Sequence, residues 1–175
     1  WLWNADEQKP RQLAAVHREA VAAAYLLPES DWRKEQKILG LSLSIDGQLR
    51  LWRDDGASQS FEIAESVDAS RLSLDGKYLV VAGSLGERRT GVWWWSVGEQ
   101  KVAARAEFEG KSVNAVDFPR SGELRALLTT SDLMNSQMEL LEWPLANADV
   151  APRTLRVSGE RVAPWGDRVW HADES

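Results

Sequence analysis

Four tryptophans frame this chain: Trp3, Trp52, Trp95 and Trp143. They lie 49, 43 and 48 residues apart, and each closes a short apolar or aromatic run. The runs are Trp1-Leu2-Trp3, Leu49-Arg50-Leu51-Trp52, Val92-Trp93-Trp94-Trp95 and Leu140-Leu141-Glu142-Trp143. A period in the forties with tryptophan at a fixed point marks one supersecondary unit used repeatedly. A sugar-binding or base-stacking platform would have no reason to keep that spacing. The chain's ten tryptophans are therefore read first as a recurring core position.

The best-formed unit contains Leu39–Asp55, LGLSLSIDGQLRLWRDD, in which two apolar runs flank an Asp46-Gly47 pair. That pattern is the strongest short-range hairpin signal a sequence carries. Around it, Ala20–Leu27, Ile38–Ser44, Gln48–Trp52 and Ser58–Ile63 read as four successive strands, with a polar, turn-like stretch over Pro28–Gln36. A second unit follows, with strands over Val67–Ser73, Tyr78–Gly83, Gly91–Trp95 and Lys101–Phe108. A third runs through Val113–Phe118, Leu124–Thr130, Gln137–Trp143 and Thr154–Val157, with Pro144 expected to end its third strand. Local propensity over Arg11–Leu27 favours helix, because the segment is alanine-rich. The repeat register requires a strand at Ala20–Leu27, and strand is the reading adopted.

Four short strands per unit, the inner three apolar on both faces, fit a small antiparallel sheet packed between neighbours. The expected fold class is all-β: a partial propeller of about three four-stranded antiparallel blades, with fragments at both ends. Blades are expected at 11–63, 64–108 and 109–157, with a leading strand at 1–4 and an incomplete unit at 158–175. The opening Trp1-Leu2-Trp3-Asn4 reads as the middle of a strand, so the chain is expected to be part of a longer polypeptide.

These units resemble the WD-repeat β-propeller family. The family ends a unit with Trp-Asp, whereas the endings here are Trp3-Asn4, Trp52-Arg53, Trp95-Ser96 and Trp143-Pro144. Ser73-Leu74-Asp75-Gly76 is similar to the family's Ser-Pro-Asp-Gly turn, Phe118–Gly122 is a looser version, and Val16-His17 stands where the family has Gly-His. The resemblance implies a buried hydrogen-bonded set in the first unit made of His17, Ser42, Asp46 and Trp52, with Asp46 accepting from His17. The second and third units lack the histidine and are expected to hold together by packing. Degenerate repeats of this kind also look like the propeller part of larger bacterial signalling or defence proteins.

Composition narrows the function. The net charge of −6 argues against a phosphate-tracking nucleic-acid binder and a polybasic membrane binder. No cysteine is present, which removes disulfides and thiolate metal sites and agrees with a cytoplasmic location. The only histidines are His17 and His171, too few for a zinc site without carboxylate help. Gly83-Ser84-Leu85-Gly86 lacks the lysine of a phosphate loop, and Asp54-Asp55-Gly56 lacks the ligand alternation of a calcium loop. Glu139 and Glu142 have odd spacing and fall on opposite faces of a strand. No catalytic constellation, metal or cofactor is expected.

The expected function is a non-catalytic protein-interaction or ligand-sensing module of a larger protein. Its partner is a protein or peptide, further blades of the same polypeptide, or a second copy. One alternative is a carbohydrate-binding or hydrolytic propeller using exposed tryptophans, and another is a purely structural scaffold. By resemblance, binding belongs to the loops entering the first strand and those between the second and third strands. These place Arg18, Glu19, Glu87, Arg88, Arg89, Lys111, Met134 and Asn135 on a candidate interaction face. Trp32 follows Asp31 in a polar stretch, so it is either an exposed anchor or a side chain folded back on the blade. The consecutive Trp93, Trp94 and Trp95 are expected to fill core on alternate faces.

Overall fold

A computed structural model of the chain describes residues 16–118, 125–132, 138–144 and 152–155. The fold is all-β, built from three four-stranded antiparallel sheets. The first holds β1 (Val21–Leu26), β2 (Ile38–Ser44), β3 (Gln48–Arg53) and β4 (Ser58–Glu62), paired in that order. The second holds β5 (Ala69–Leu72), β6 (Tyr78–Ser84), β7 (Arg89–Ser96) and β8 (Lys101–Glu109). The third holds β9 (Lys111–Asp117), β10 (Arg125–Asp132), β11 (Met138–Pro144) and β12 (Arg153–Leu155). Pro144 remains in β11 as its last residue, opposite Arg125. The segments 1–4 and 158–175, and the residues Met134 and Asn135, lie outside the described residues.

Residues 21–26 form a strand, in spite of their alanines, because pairing with β2 decides the matter. Tyr25 packs against the buried core, and its hydroxyl meets Ser70 Oγ of the second sheet at 2.8 Å. Two expectations fail here. Val21, Ala22, Ala24 and Leu26 are exposed, so β1 is not buried on both faces. Residues 31–36, read as polar turn, form a short helix α1 (Asp31–Gln36). Ser30 caps it by accepting from Arg33 N at 3.1 Å, and Lys37 closes it in the left-handed region at φ 53°.

Two apolar layers join the sheets. Leu41, Leu43, Leu49, Leu51 and Ile63 of the first sheet meet Leu79, Val81, Trp95 and Val97 of the second. Val80, Ala82, Val92 and Trp94 of the second meet Val113, Val116, Leu141 and Trp143 of the third. Strand alternation explains the division, because successive side chains of β6 and β7 point to opposite faces. Val80 and Trp94 thus enter one layer while Val81 and Trp95 enter the other. Each layer has its aromatic contact: Phe61 and Trp95 lie 4.8 Å apart between ring centres, and Trp94 and Trp143 lie 6.4 Å apart at 70°. The tryptophan that closes β7 or β11 therefore packs back onto the preceding sheet.

The interior tolerates no additional atoms at some backbone crossings. A Cβ on Gly83 would sit 1.9 Å from the Ser66 carbonyl oxygen. Gly83 is what allows the β4–β5 connection to lie across β6.

Candidate functional site

The connections of the described chain fall into two sets by strand direction. The segment entering β1, the β2–β3 turn, and the β4–β5, β6–β7 and β8–β9 connections belong to one end of the sheets. Backbone bonds tie them into two groups: Ile45 N donates to Ala20 O at 2.9 Å and Val67 N to Ile45 O at 3.1 Å at the first sheet, and Gly110 N donates to Arg88 O at 2.8 Å at the second.

Beside this end lies the polar set of the first sheet. Trp52 Nε1 donates to Ser42 Oγ at 2.8 Å, and His17 Nε2 lies 2.7 Å from the same oxygen. Ser42 accepts the indole proton, and the same hydroxyl bonds His17 Nε2, with the donor set by the tautomer of the neutral imidazole. Burial and, next, the nearby Arg50 guanidinium hold the His17 pKa below its ordinary value of 6.5, which favours that neutral form. Asp46 does not accept from His17. Its Oδ1 takes the Ser44 hydroxyl and, at 3.4 Å, Gln48 N, because the turn geometry directs the carboxylate back along its own chain. The Ser44 bond is the main reason that the Asp46 pKa is lowered. His17 Nδ1 is buried without a hydrogen-bond partner, as are Gln48 Oε1 and Arg50 Nε.

Ser44 and Gln48 are participants that sequence reasoning missed, although a signal existed. The second sheet repeats the Ser-x-Asp-Gly arrangement: Ser73 Oγ donates to Asp75 Oδ1 at 2.6 Å, and Lys77 N bonds the same oxygen at 3.1 Å. Gly47 and Gly76 complete the two turns at φ 80° and 73°. The two turns occupy opposite ends of their sheets, one between β2 and β3 and the other between β5 and β6.

The charged candidates differ in circumstance. Arg18 and Glu19 are exposed. Glu87 and Arg88 are exposed and sit in the left-handed region at φ 47° and 62°, following Gly86 at 73°. Arg89 is the first residue of β7, not a loop residue, and pairs with Glu107 at 3.7 Å. Lys111 opens β9 and pairs with Glu139, while Thr90 Oγ1 donates to Lys111 O at 2.9 Å. Glu142 is buried and accepts from Arg153.

Trp32 is not an exposed anchor. It is half-buried at the opposite end, packed on the core shared by the first two sheets, and a Cβ on Gly98 would lie 3.2 Å from its Nε1. Trp93 lies over Gly91 and beneath the Arg105 guanidinium, 5.6 Å from the ring centre. No described tryptophan is exposed. Among the described residues no three metal-ligating side chains gather, and no helix is long and apolar enough to cross a membrane.

No protein-family model and no curated protein sequence matches the chain. Solved propellers do resemble it. The C-terminal WD40 domain of Sif2 superposes with a TM-score of 0.57 at 18% identity, over 83% of this chain and 39% of that one. Sqt1 from Chaetomium thermophilum, bound to the N-terminus of the ribosomal protein L10, gives 0.54 at 14%, over 81% and 37%. The dihydro-heme d1 dehydrogenase NirN, in complex with DHE, gives 0.53 at 22%, over 81% and 29%. The chain thus has the blade architecture of a β-propeller. It spans less than two fifths of the length of these structures.

Proposed function

We propose that this segment is a non-catalytic interaction module whose partner is a protein or peptide, working within a larger protein. The observation that carries the reading is the bonded end surface. Ala20, Ile45, Val67, Arg88 and Gly110 lie on five chain segments that backbone hydrogen bonds link into two groups. Rigid loops on a scaffold bind with little ordering cost. Sqt1, a similar fold, holds a protein N-terminus, which agrees with a peptide partner here. The sugar-binding alternative has less support, since no described tryptophan is exposed for stacking. Arg18, Glu19, Glu87, Arg88, Arg89 and Lys111 are the candidates for contact.

The test is a partner screen by cross-linking from this end. A photo-reactive residue at position 19 or 87 should capture partners that one at position 74, on the opposite end, does not. Equal capture from both ends would defeat the proposal.

A further inference from the structure

Resting on that reading, we infer that the corner of the end surface at the first sheet docks a peptide segment carrying both apolar and basic side chains. Val16, Val21 and Ile45 are 75%, 55% and 47% exposed there. The backbone brings two of them together: Ile45 N bonds Ala20 O, and Val21 lies opposite Ser44 in the β1–β2 register. Exposed Ala22 extends the patch along β1. Branched aliphatic side chains gathered on an otherwise polar end are what a docking site presents, because covering them releases water.

The charge around the patch selects the partner. Glu19, Asp46, Glu62, Glu65 and Asp68 stand on the segments bonded to it, against Arg18 alone among the exposed cations there. Among the described residues no ion pair reaches Glu19, Glu65 or Asp68. At the second sheet the situation is the reverse, since Arg89 and Lys111 already have Glu107 and Glu139. Uncompensated carboxylates beside apolar surface favour lysine or arginine interleaved with aliphatic residues, and repel acidic segments.

Fluorescence polarisation with the full chain tests this, using labelled peptides of about twelve residues, long enough to cross the patch extended. Three probes are needed: alternating Leu/Lys, alternating Leu/Glu and alternating Ser/Lys. The Leu/Lys peptide should bind, and the other two should bind at least about tenfold more weakly, a difference of about 1.4 kcal/mol. Val21→Ser with Ile45→Ser should weaken binding, as should Glu65→Gln with Asp68→Asn, whereas Arg88→Glu with Arg89→Glu should not. Val21 and Ile45 are exposed, so their replacement spares the core, and unchanged methyl NMR signals of Leu43 and Leu49 check this. Equal binding of the Leu/Glu peptide, or no binding of Leu/Lys, overturns the inference. Loss that follows Arg88 and Arg89 overturns it while leaving the interaction-end reading intact. Leu/Lys binding that no substitution at this end affects overturns both.

Discussion

Trp52 reaches Ser42 Oγ with its indole N–H, two residues along β2 from Gly40, its cross-strand partner. That hydroxyl also meets His17 Nε2, so one small side chain bonds two ring systems. Ser42→Ala should lower stability by about 1–3 kcal/mol, because a buried donor is left unpaired. His17→Ala should cost less, since Ser42 would still accept from Trp52. Urea midpoints of the two variants check the order.

The second sheet lacks this arrangement. Trp95 pairs with Leu79, and two residues further along stands Val81, where Ser42 stands in the first sheet. Trp95 Nε1 is accordingly buried without a partner. Val81→Thr keeps the shape and supplies an acceptor, so it should be tolerated about 1 kcal/mol better than Val80→Thr. Val80 is equally buried but faces the other layer, which makes it the control. Equal losses in the two variants would count against the orphaned indole as the cause.

The depressed His17 pKa links stability to pH. The folded state favours the neutral ring, so this contribution is complete above the unfolded value of 6.5. It declines as the pH falls through 6.5 towards the lower folded value, where the unfolded chain binds the extra proton. Denaturation midpoints at pH 8 and pH 5.5 should therefore differ more in the native chain than in His17→Gln. Asp46 acts lower on the scale: its folded pKa is below 3.8, so its contribution is complete above 3.8 and is lost as the pH falls from there through the lower folded value.

Trp32 gives a further test. Because the ring is half-buried against the core of the first two sheets, Trp32→Ala should cost about 1–2 kcal/mol, less than a fully buried tryptophan. A freely exposed anchor would lose almost nothing. Thermal melts read the difference.

The strands were legible because two-residue alternation and the Asp46-Gly47 pair are local signals. The extended state of Ala20–Leu27 was legible only through the repeat, since its own alanines favour helix. The direction of Trp32 was not legible, because it depends on a glycine 66 residues later, Gly98. The link expected between Asp46 and His17 failed for a local reason: Ser44, two residues away, claims the carboxylate first. The apolar corner at Val21 and Ile45 carries no motif. It emerges from which side chains the sheets leave uncovered.

The backward packing of Trp95 and Trp143 makes the boundaries of the chain repeat differ from those of cooperative unfolding. Leu43 and Leu49 belong by sequence to the first sheet, yet their protection depends on Trp95 of the second. Severing the backbone near residue 65 would divide such a unit, not separate two. Amide hydrogen exchange should therefore show β2 and β3 opening together with β7, ahead of any division at the connecting loops.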